Sequence, residues 1–220
     1  MDAKSFFAFP QNVEQPLLRE WLLDVTKMAL GVFLVFLAVL FVEHDWMVAG
    51  WIDMTGIVFT LHFGLFHLLS VVWRRVNCDA RPIMNAPILA TSLSDFWSRR
   101  WNLAFRDLAH TYVFRRFVGQ LGIVGATMAV FVVSGVVHDV AISGPAGGGY
   151  GLPTLYFVIQ GVSVLFERSR IGKRIGTRNG MIGRLFCVAV VQGPVCLLFH
   201  APFVERVVVP MLTAMGRIWG

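Results

Sequence analysis

The stretch MALGVFLVFLAVLFV, residues 28–42, contains no charged or amide side chain. A run of this kind is stable as a helix in hydrocarbon, and Lys27 can snorkel its ammonium to the interface so that the run starts at Val25. Four more uncharged runs follow at residues 54–73, 117–137, 152–166 and 185–204. A bilayer core of ~30 Å takes ~20 helical residues, so with the flanks of the shorter runs counted each is long enough to cross. A sixth run, 207–216, is short and holds Pro210, which leaves both a short span and an interfacial helix open. With 56 % hydrophobic residues, 15 % charged residues and a mean hydropathy of +0.68, the composition lies outside that of soluble domains. The expectation is an all-α, polytopic transmembrane protein of five or six spans, with residues 1–220 forming one integral membrane domain.

The first apolar run starts too far from the N-terminus for a secretion signal and lacks a small-residue cleavage site, so it is expected to remain in the mature protein. Cys78, Cys187 and Cys196 cannot close a set of disulfides and read as structural thiols. The net charge of +6 does not indicate nucleic acid, because the basic residues flank apolar runs and form no soluble basic domain. Lys4, Arg19 and Lys27 precede the first run. Arg74, Arg75, Arg81, Arg99, Arg100, Arg106, Arg115 and Arg116 lie between the second and third, and six more lie between 168 and 184. The loops EHDWMVAG (43–50) and SGPAGGGYG (143–151) contain no Lys or Arg, so the positive-inside rule puts the N-terminus and both basic segments in the cytoplasm.

The segment between the second and third runs is too aromatic for a linker and too charged for a span, so it is expected at the cytoplasmic membrane face. Its central stretch is SLSDFWSRRWN, residues 92–102. Pro82 and Pro87 impose turns, and Ser94 or Asp95 can cap a helix from about Phe96 to Arg115. Trp97, Trp101, Ala104, Phe105, Leu108 and Tyr112 recur at helical spacing, while Arg99, Asn102, Arg106 and His110 share another face. An amphipathic interfacial helix explains the tryptophans and arginines as anchors. It does not explain Asn102, whose amide is a hydrogen-bonding tool suited to a buried polar site.

Ionisable groups within spans are costly and read as functional candidates, each weighed against a structural role. Asp53 reads as a helix-start residue. His62 and His67 do not share a helix face and make a poor metal pair. In VFVVSGVVHDVAIS, Ser134 and His138 are one turn apart with Thr127 on roughly the same stripe, and a neutral histidine is the usual general base near pH 7; the structural alternative is a histidine bonded between helices. Gly122, Gly125, Ala126, Ala129 and Gly135 offer small surfaces for close packing. His200, after the interruption at Gln192, Gly193 and Pro194, reads as structural, with a place in the same cavity as the alternative. The basic segment ERSRIGKRIGTRNGMIGR (167–184) reads as a topology signal with affinity for anionic headgroups.

RPIMNAPILATSLSDFWSRRWN (81–102) followed by VSGVVHD (133–139) resembles the wax synthase branch of the membrane-bound O-acyltransferase superfamily, with a motif core at 81–142. The resemblance rests on Pro82, Met84, Pro87, Ser92, Leu93, Asp95, Phe96, Trp97, Arg99, Arg100, Trp101 and Asn102, then on Ser134, Gly135 and His138. LLFHAPFVERVVVP (197–210) is similar to a proline-containing close of that branch. The resemblance implies His138 as catalytic base, with Asn102 as its active-site partner. The substrates it implies are a fatty acyl-coenzyme A and a lipid-soluble alcohol, joined as a wax ester, triacylglycerol or sterol ester, with no metal or other cofactor. His138 would take the alcohol proton, and Asn102 would either orient the histidine or bond the oxyanion. Arg99, Arg100 and Arg106 would meet coenzyme A phosphates, and Trp97, Trp101 and Ser134 would contact substrate.

Asp139 departs from the glutamate that often follows the histidine in the superfamily. The chain is also shorter than eukaryotic members, so part of the helical wall would be missing and self-association as a homo-oligomer would supply it. A ruler of ~1.5 Å per residue puts His138 ~33 Å beyond Arg116. For His138 to meet Asn102, the segment before residue 117 must dip into the membrane or the third span must tilt. Two other readings stay open: an O-acyltransferase acting on a glycan or other polar hydroxyl, and a non-enzymatic transporter or scaffold in which His138, Asp53 and His67 relay protons.

Overall fold

A computed structural model describes residues 13–219, and among these every regular element is helical. Four helices are long and apolar enough to cross a membrane: α1 (Leu18–Phe41), α2 (Trp46–Arg75), α4 (Leu103–Ala146) and the stretch Gly180–Leu198, which contains α7 (Gly180–Gln192). Between them lie α3 (Leu93–Asp95), α5 (Leu152–Arg168) and α6 (Arg170–Ile175). The fourth apolar run forms α5, whose 17 residues reach ~25 Å. The sixth falls at α8 (Val209–Trp219), which continues the helical residues 201–208 without a break; this stretch carries Glu205, Arg206 and Arg217 and is not among the four.

The chain divides into two compact units, one drawn from residues up to Met84 and from Met211 onward, the other from Asn85–Pro210. In the first, α1 and α2 pair through glycines. A Cβ on Gly31 would stand 2.4 Å from the Thr60 backbone nitrogen, and one on Gly64 would stand 2.6 Å from Met28, so each helix offers a groove to the other. Asp45, and not Asp53, starts α2: its carboxylate accepts from Met47 N and Val48 N, both at 3.0 Å. Asp53 is fully buried a further two turns along. Its expected role as helix starter fails because the helix begins earlier, as soon as Asp45 supplies an acceptor for the first free amides.

The second unit holds the motif core. Residues 92–116 do not form one interfacial helix. Ser92 caps α3, its hydroxyl accepting from Asp95 N at 3.0 Å. The chain then widens into a π turn, Phe96–Arg100, closed by Trp101 N donating to Phe96 O at 2.9 Å. Trp101 is extended (φ −97°, ψ 126°) and Asn102 is left-handed (φ 39°, ψ 66°) before α4 begins. The break in the expected helix falls on the asparagine, a residue type that tolerates this conformation.

α4 is likewise not one straight rod. Gly122 has φ 64° and ψ −178°, a conformation open to glycine alone at little cost. The chain reverses there, so the arms on either side of Gly122 run back along each other, and the Phe105 and His138 rings come within 6.3 Å. The 33 Å ruler fails for this reason. Gly122 sets the reversal, although a Cβ there would meet no heavy atom within 4 Å.

Gly122→Ala is therefore expected to lower stability by about 1–3 kcal/mol through backbone strain alone. Gly119→Ala, also without neighbours but helical, should be neutral or slightly stabilising. Thermal unfolding of the two variants in detergent checks this; equal midpoints would remove the reversal from its controlling role.

Candidate active site

The site is built on the N-terminus of α3. Its first free amides are taken by a carboxylate from α5: Glu167, fully buried, accepts from Leu93 N at 2.6 Å and Ser94 N at 3.2 Å. Asp95 then ties down the other end. It accepts from Arg100 Nε at 2.6 Å and pairs with Arg99 Nε at 3.5 Å, while Arg100 Nη1 reaches Ala86 O at 3.2 Å. Arg99 and Arg100 thus brace the motif, and neither lines the cavity described below; Arg99 stays 77 % exposed.

Past this brace the aromatic residues turn inward. Trp97 meets Phe131 edge to face at 5.8 Å and Phe157 at 5.9 Å, while Phe96 and Trp101 stack at 5.4 Å. Trp97 is fixed by Gln160 of α5, whose Oε1 accepts its indole N–H at 3.3 Å. The other end of the Gln160 amide donates to Val190 O at 2.7 Å. That carbonyl requires a side-chain donor because the residue four positions on is Pro194, which has no N–H. Gln160 is fully buried, so each of its bonds replaces water that is not there.

These elements enclose a cavity of about 340 Å³, within the range of small-molecule sites. Trp97, Trp101, Phe105, Phe114, Phe131 and Phe157 bring aromatic rings to its wall. Asn102, Thr127, Ser134 and His138 supply polar atoms, and Ser94, Arg106 and Arg168 also border it. Of the residues singled out from sequence, His138, Asn102, Trp97, Trp101 and Ser134 are brought together here. Phe157, Gln160 and Glu167 were missed. They belong to an apolar run whose periodicity gave no reason to single them out, although a Gln and a Glu within or beside such a run are a signal by their cost.

His138 lies over Phe157, with ring centres 4.4 Å apart. Its Nδ1 is 2.7 Å from Ser134 O. A carbonyl can only accept, so Nδ1 carries the proton and Nε2 keeps its lone pair. Ser134 and Thr127 spend their own protons inside the helix, on Val130 O at 2.7 Å and Ile123 O at 2.8 Å. The Asn102 Oδ1 accepts from Phe105 N at 3.1 Å and so starts α4. Any donation by this amide comes from Nδ2.

Two other polar residues near the motif have structural work. Asp139 accepts from Gly151 N at 2.7 Å and Thr154 Oγ1 at 2.8 Å, closing the start of α5. His200 accepts at Nδ1 from Phe203 N at 3.2 Å, which makes Nε2 its protonated nitrogen, 3.1 Å from Ser143 Oγ. His200 is buried in the 143–151 loop and does not line the cavity. Among the described residues no cluster of histidine, cysteine or carboxylate side chains is arranged to hold a metal.

Residues 80–159 match the Membrane bound O-acyl transferase family. The chain is 45 % identical over 78 residues to the probable long-chain-alcohol O-fatty-acyltransferase 1 of Arabidopsis thaliana, covering 32 % of this chain and 23 % of that protein. It is 35 % identical over 111 residues to the long-chain-alcohol O-fatty-acyltransferase of Simmondsia chinensis, 44 % of this chain and 32 % of that one. It is 33 % identical over 90 residues to the acyl-CoA–sterol O-acyltransferase 1 of Arabidopsis thaliana, 38 % of this chain and 26 % of that one. The aligned part thus spans a third or less of the length of these three relatives, and no solved structure matches the chain. The resemblance to the wax synthase-like branch is therefore shown over the motif core, in an integral membrane protein.

The Gln160 bridge gives a direct test. Gln160→Leu strands Val190 O and the Trp97 N–H and should cost about 1–3 kcal/mol for each group left unpaired. Adding Pro194→Ala returns a backbone donor to Val190 O, so the double variant should recover part of the loss in thermal unfolding. Strictly additive losses would show that the carbonyl does not depend on Gln160.

Proposed function

We propose that the chain acts as a membrane O-acyltransferase, moving a fatty acyl group from acyl-coenzyme A to the hydroxyl of a lipophilic alcohol. The observation that carries this reading is the hydrogen bond from His138 Nδ1 to Ser134 O, which leaves Nε2 as an acceptor in the wall of an aromatic cavity shared with Asn102. The names of the relatives supply the reaction class.

In this mechanism Nε2 of His138 removes the hydroxyl proton as the alcohol oxygen attacks the thioester carbonyl carbon. Asn102 Nδ2 donates to the oxyanion that develops. Collapse of the tetrahedral adduct breaks the carbon–sulfur bond, and the imidazolium returns its proton to the departing thiolate, giving ester and coenzyme A. Asn102 binds the oxyanion and does not orient the base, because the orienting bond at Nδ1 is already made by Ser134 O. Trp97 and Trp101 line the chain-binding wall. Arg106 and Arg168 border the cavity and Arg99 and Arg100 do not, so the first two are better situated for a charged headgroup. The arginine distribution supports a cytoplasmic N-terminus, with acyl-coenzyme A arriving from that side and the alcohol from the lipid.

Coenzyme A release by purified protein in liposomes, offered palmitoyl-coenzyme A with a long-chain alcohol, diacylglycerol or sterol, tests the reading. His138→Ala should lower acceptor-dependent release by ~10²–10⁴-fold. Asn102→Asp keeps the cap on Phe105 N and removes the amide donor, so it should lower turnover by ~10²–10³-fold in a protein that still folds. Release that is independent of the acceptor, or untouched by His138→Ala, would overturn the proposal.

A further inference from the structure

From the last residue of α5 to the second turn of α7 the chain carries Arg168, Arg170, Lys173, Arg174, Arg178 and Arg184, all exposed. None of the six takes part in an ion pair among the described residues. Glu167, the one acid of the segment, is buried and committed to Leu93 N and Ser94 N. The cations are interleaved with exposed apolar side chains: Ile171 at 64 %, Ile175 at 48 %, Met181 at 69 % and Ile182 at 56 %.

The backbone under these side chains is fixed. Ser169 caps α6 by accepting from Gly172 N at 3.1 Å, and buried Thr177 donates its hydroxyl to Gly172 O at 3.0 Å. Gly172 faces inward, where a Cβ would stand 2.3 Å from Phe166 O, and a Cβ on Gly183 would stand 2.3 Å from Thr91 O. With Gly172 inward, helical geometry puts Arg170, Lys173 and Arg174 on one outward arc and Ile171 and Ile175 on the arc beside it.

We propose that residues 168–184 form a collar that binds anionic phospholipid, its cations holding the headgroup phosphates while Ile171, Ile175, Met181 and Ile182 enter the acyl region. Both helices that flank the collar are apolar, so it stands at the level of the headgroups. An excess of fixed positive charge there attracts anionic lipid at ~1 kcal/mol per cation, about fivefold in binding. The phosphates of coenzyme A are the other source of this chemistry. The placement favours lipid: of the six cations only Arg168 borders the cavity, and the other five lie along the outer surface.

The full chain is reconstituted in nanodiscs of equal phosphatidylglycerol and phosphatidylcholine, and the lipids it retains are counted by native mass spectrometry after release. Wild type should retain phosphatidylglycerol several-fold over phosphatidylcholine. Replacement of Arg170, Lys173, Arg174 and Arg178 by Gln together should abolish that preference, whereas Arg75→Gln with Arg81→Gln, neutral changes elsewhere on the same predicted side, should keep it. Equal retention of the two lipids by wild type overturns the collar without recourse to any variant. Preference that survives in the fourfold variant overturns its location, and displacement of retained phosphatidylglycerol by free coenzyme A assigns the cations to coenzyme A instead. None of these outcomes depends on acyl transfer.

Discussion

The backbone of Gly122 is the constraint on which the rest of the motif core depends. A helix continued from Leu103 through Gly122 would carry His138 tens of ångströms from Asn102. With φ at 64° and ψ at −178° the chain turns back, and the two arms of α4 face one cavity. The position that permits this is a glycine without neighbours, so the requirement is conformational and not one of space. The breaks at Trp101–Asn102 and at Gly122 bring the residues that flank them, Phe105 on one arm and Ile123, Thr127 and His138 on the other, to the same cavity.

Around that reversal, polar groups within an apolar protein are used mainly to satisfy one another. Pro194 takes the donor from Val190 O, Gln160 supplies one, and the same amide fixes Trp97. Glu167 closes the start of α3, and Asp139 the start of α5. Each is a bond that water would otherwise make, and leaving any of these groups unpaired costs more than the bond itself contributes. His138 differs. Its Nδ1 bond fixes the ring and tautomer, and Nε2 keeps its lone pair on a ring that lines the cavity.

Much of this was legible in the residues. Apolar run lengths gave the helical class, and the pairing of an aromatic, arginine-rich motif with a distant Ser-Gly-x-x-His gave His138 and Asn102 as candidates for one site. Other features were not. Periodicity alone reads residues 96–115 as continuous, because neither a proline nor a glycine marks the break at Asn102, and π turns leave no regular signature. Gly122 read as a packing surface beside Gly125, since composition does not distinguish a glycine chosen for its size from one chosen for its φ. Arg99 and Arg100 invited a phosphate, yet both lie off the cavity, each paired with Asp95, four and five residues earlier. Gln160 and Val190 O meet only through tertiary packing, which no local pattern reports.

The cavity's chemistry follows from what surrounds it. Its wall sets aromatic rings beside Asn102 and His138, and Thr127 and Ser134 spend their protons on their own helix. In such surroundings charge is poorly screened, and a fixed donor is worth more than the same donor in bulk water. An oxyanion forming there under the proposed mechanism would depend on Asn102 Nδ2 and on the imidazolium of His138, both held by bonds made before substrate arrives. The cost of orienting them is met in folding, through Phe105 N and Ser134 O. Under that mechanism the proposed base, His138, gains from its place on the packed arm of α4, beside Gly135 at Thr154 Cα of α5, since a fixed acceptor requires a helix that cannot rotate.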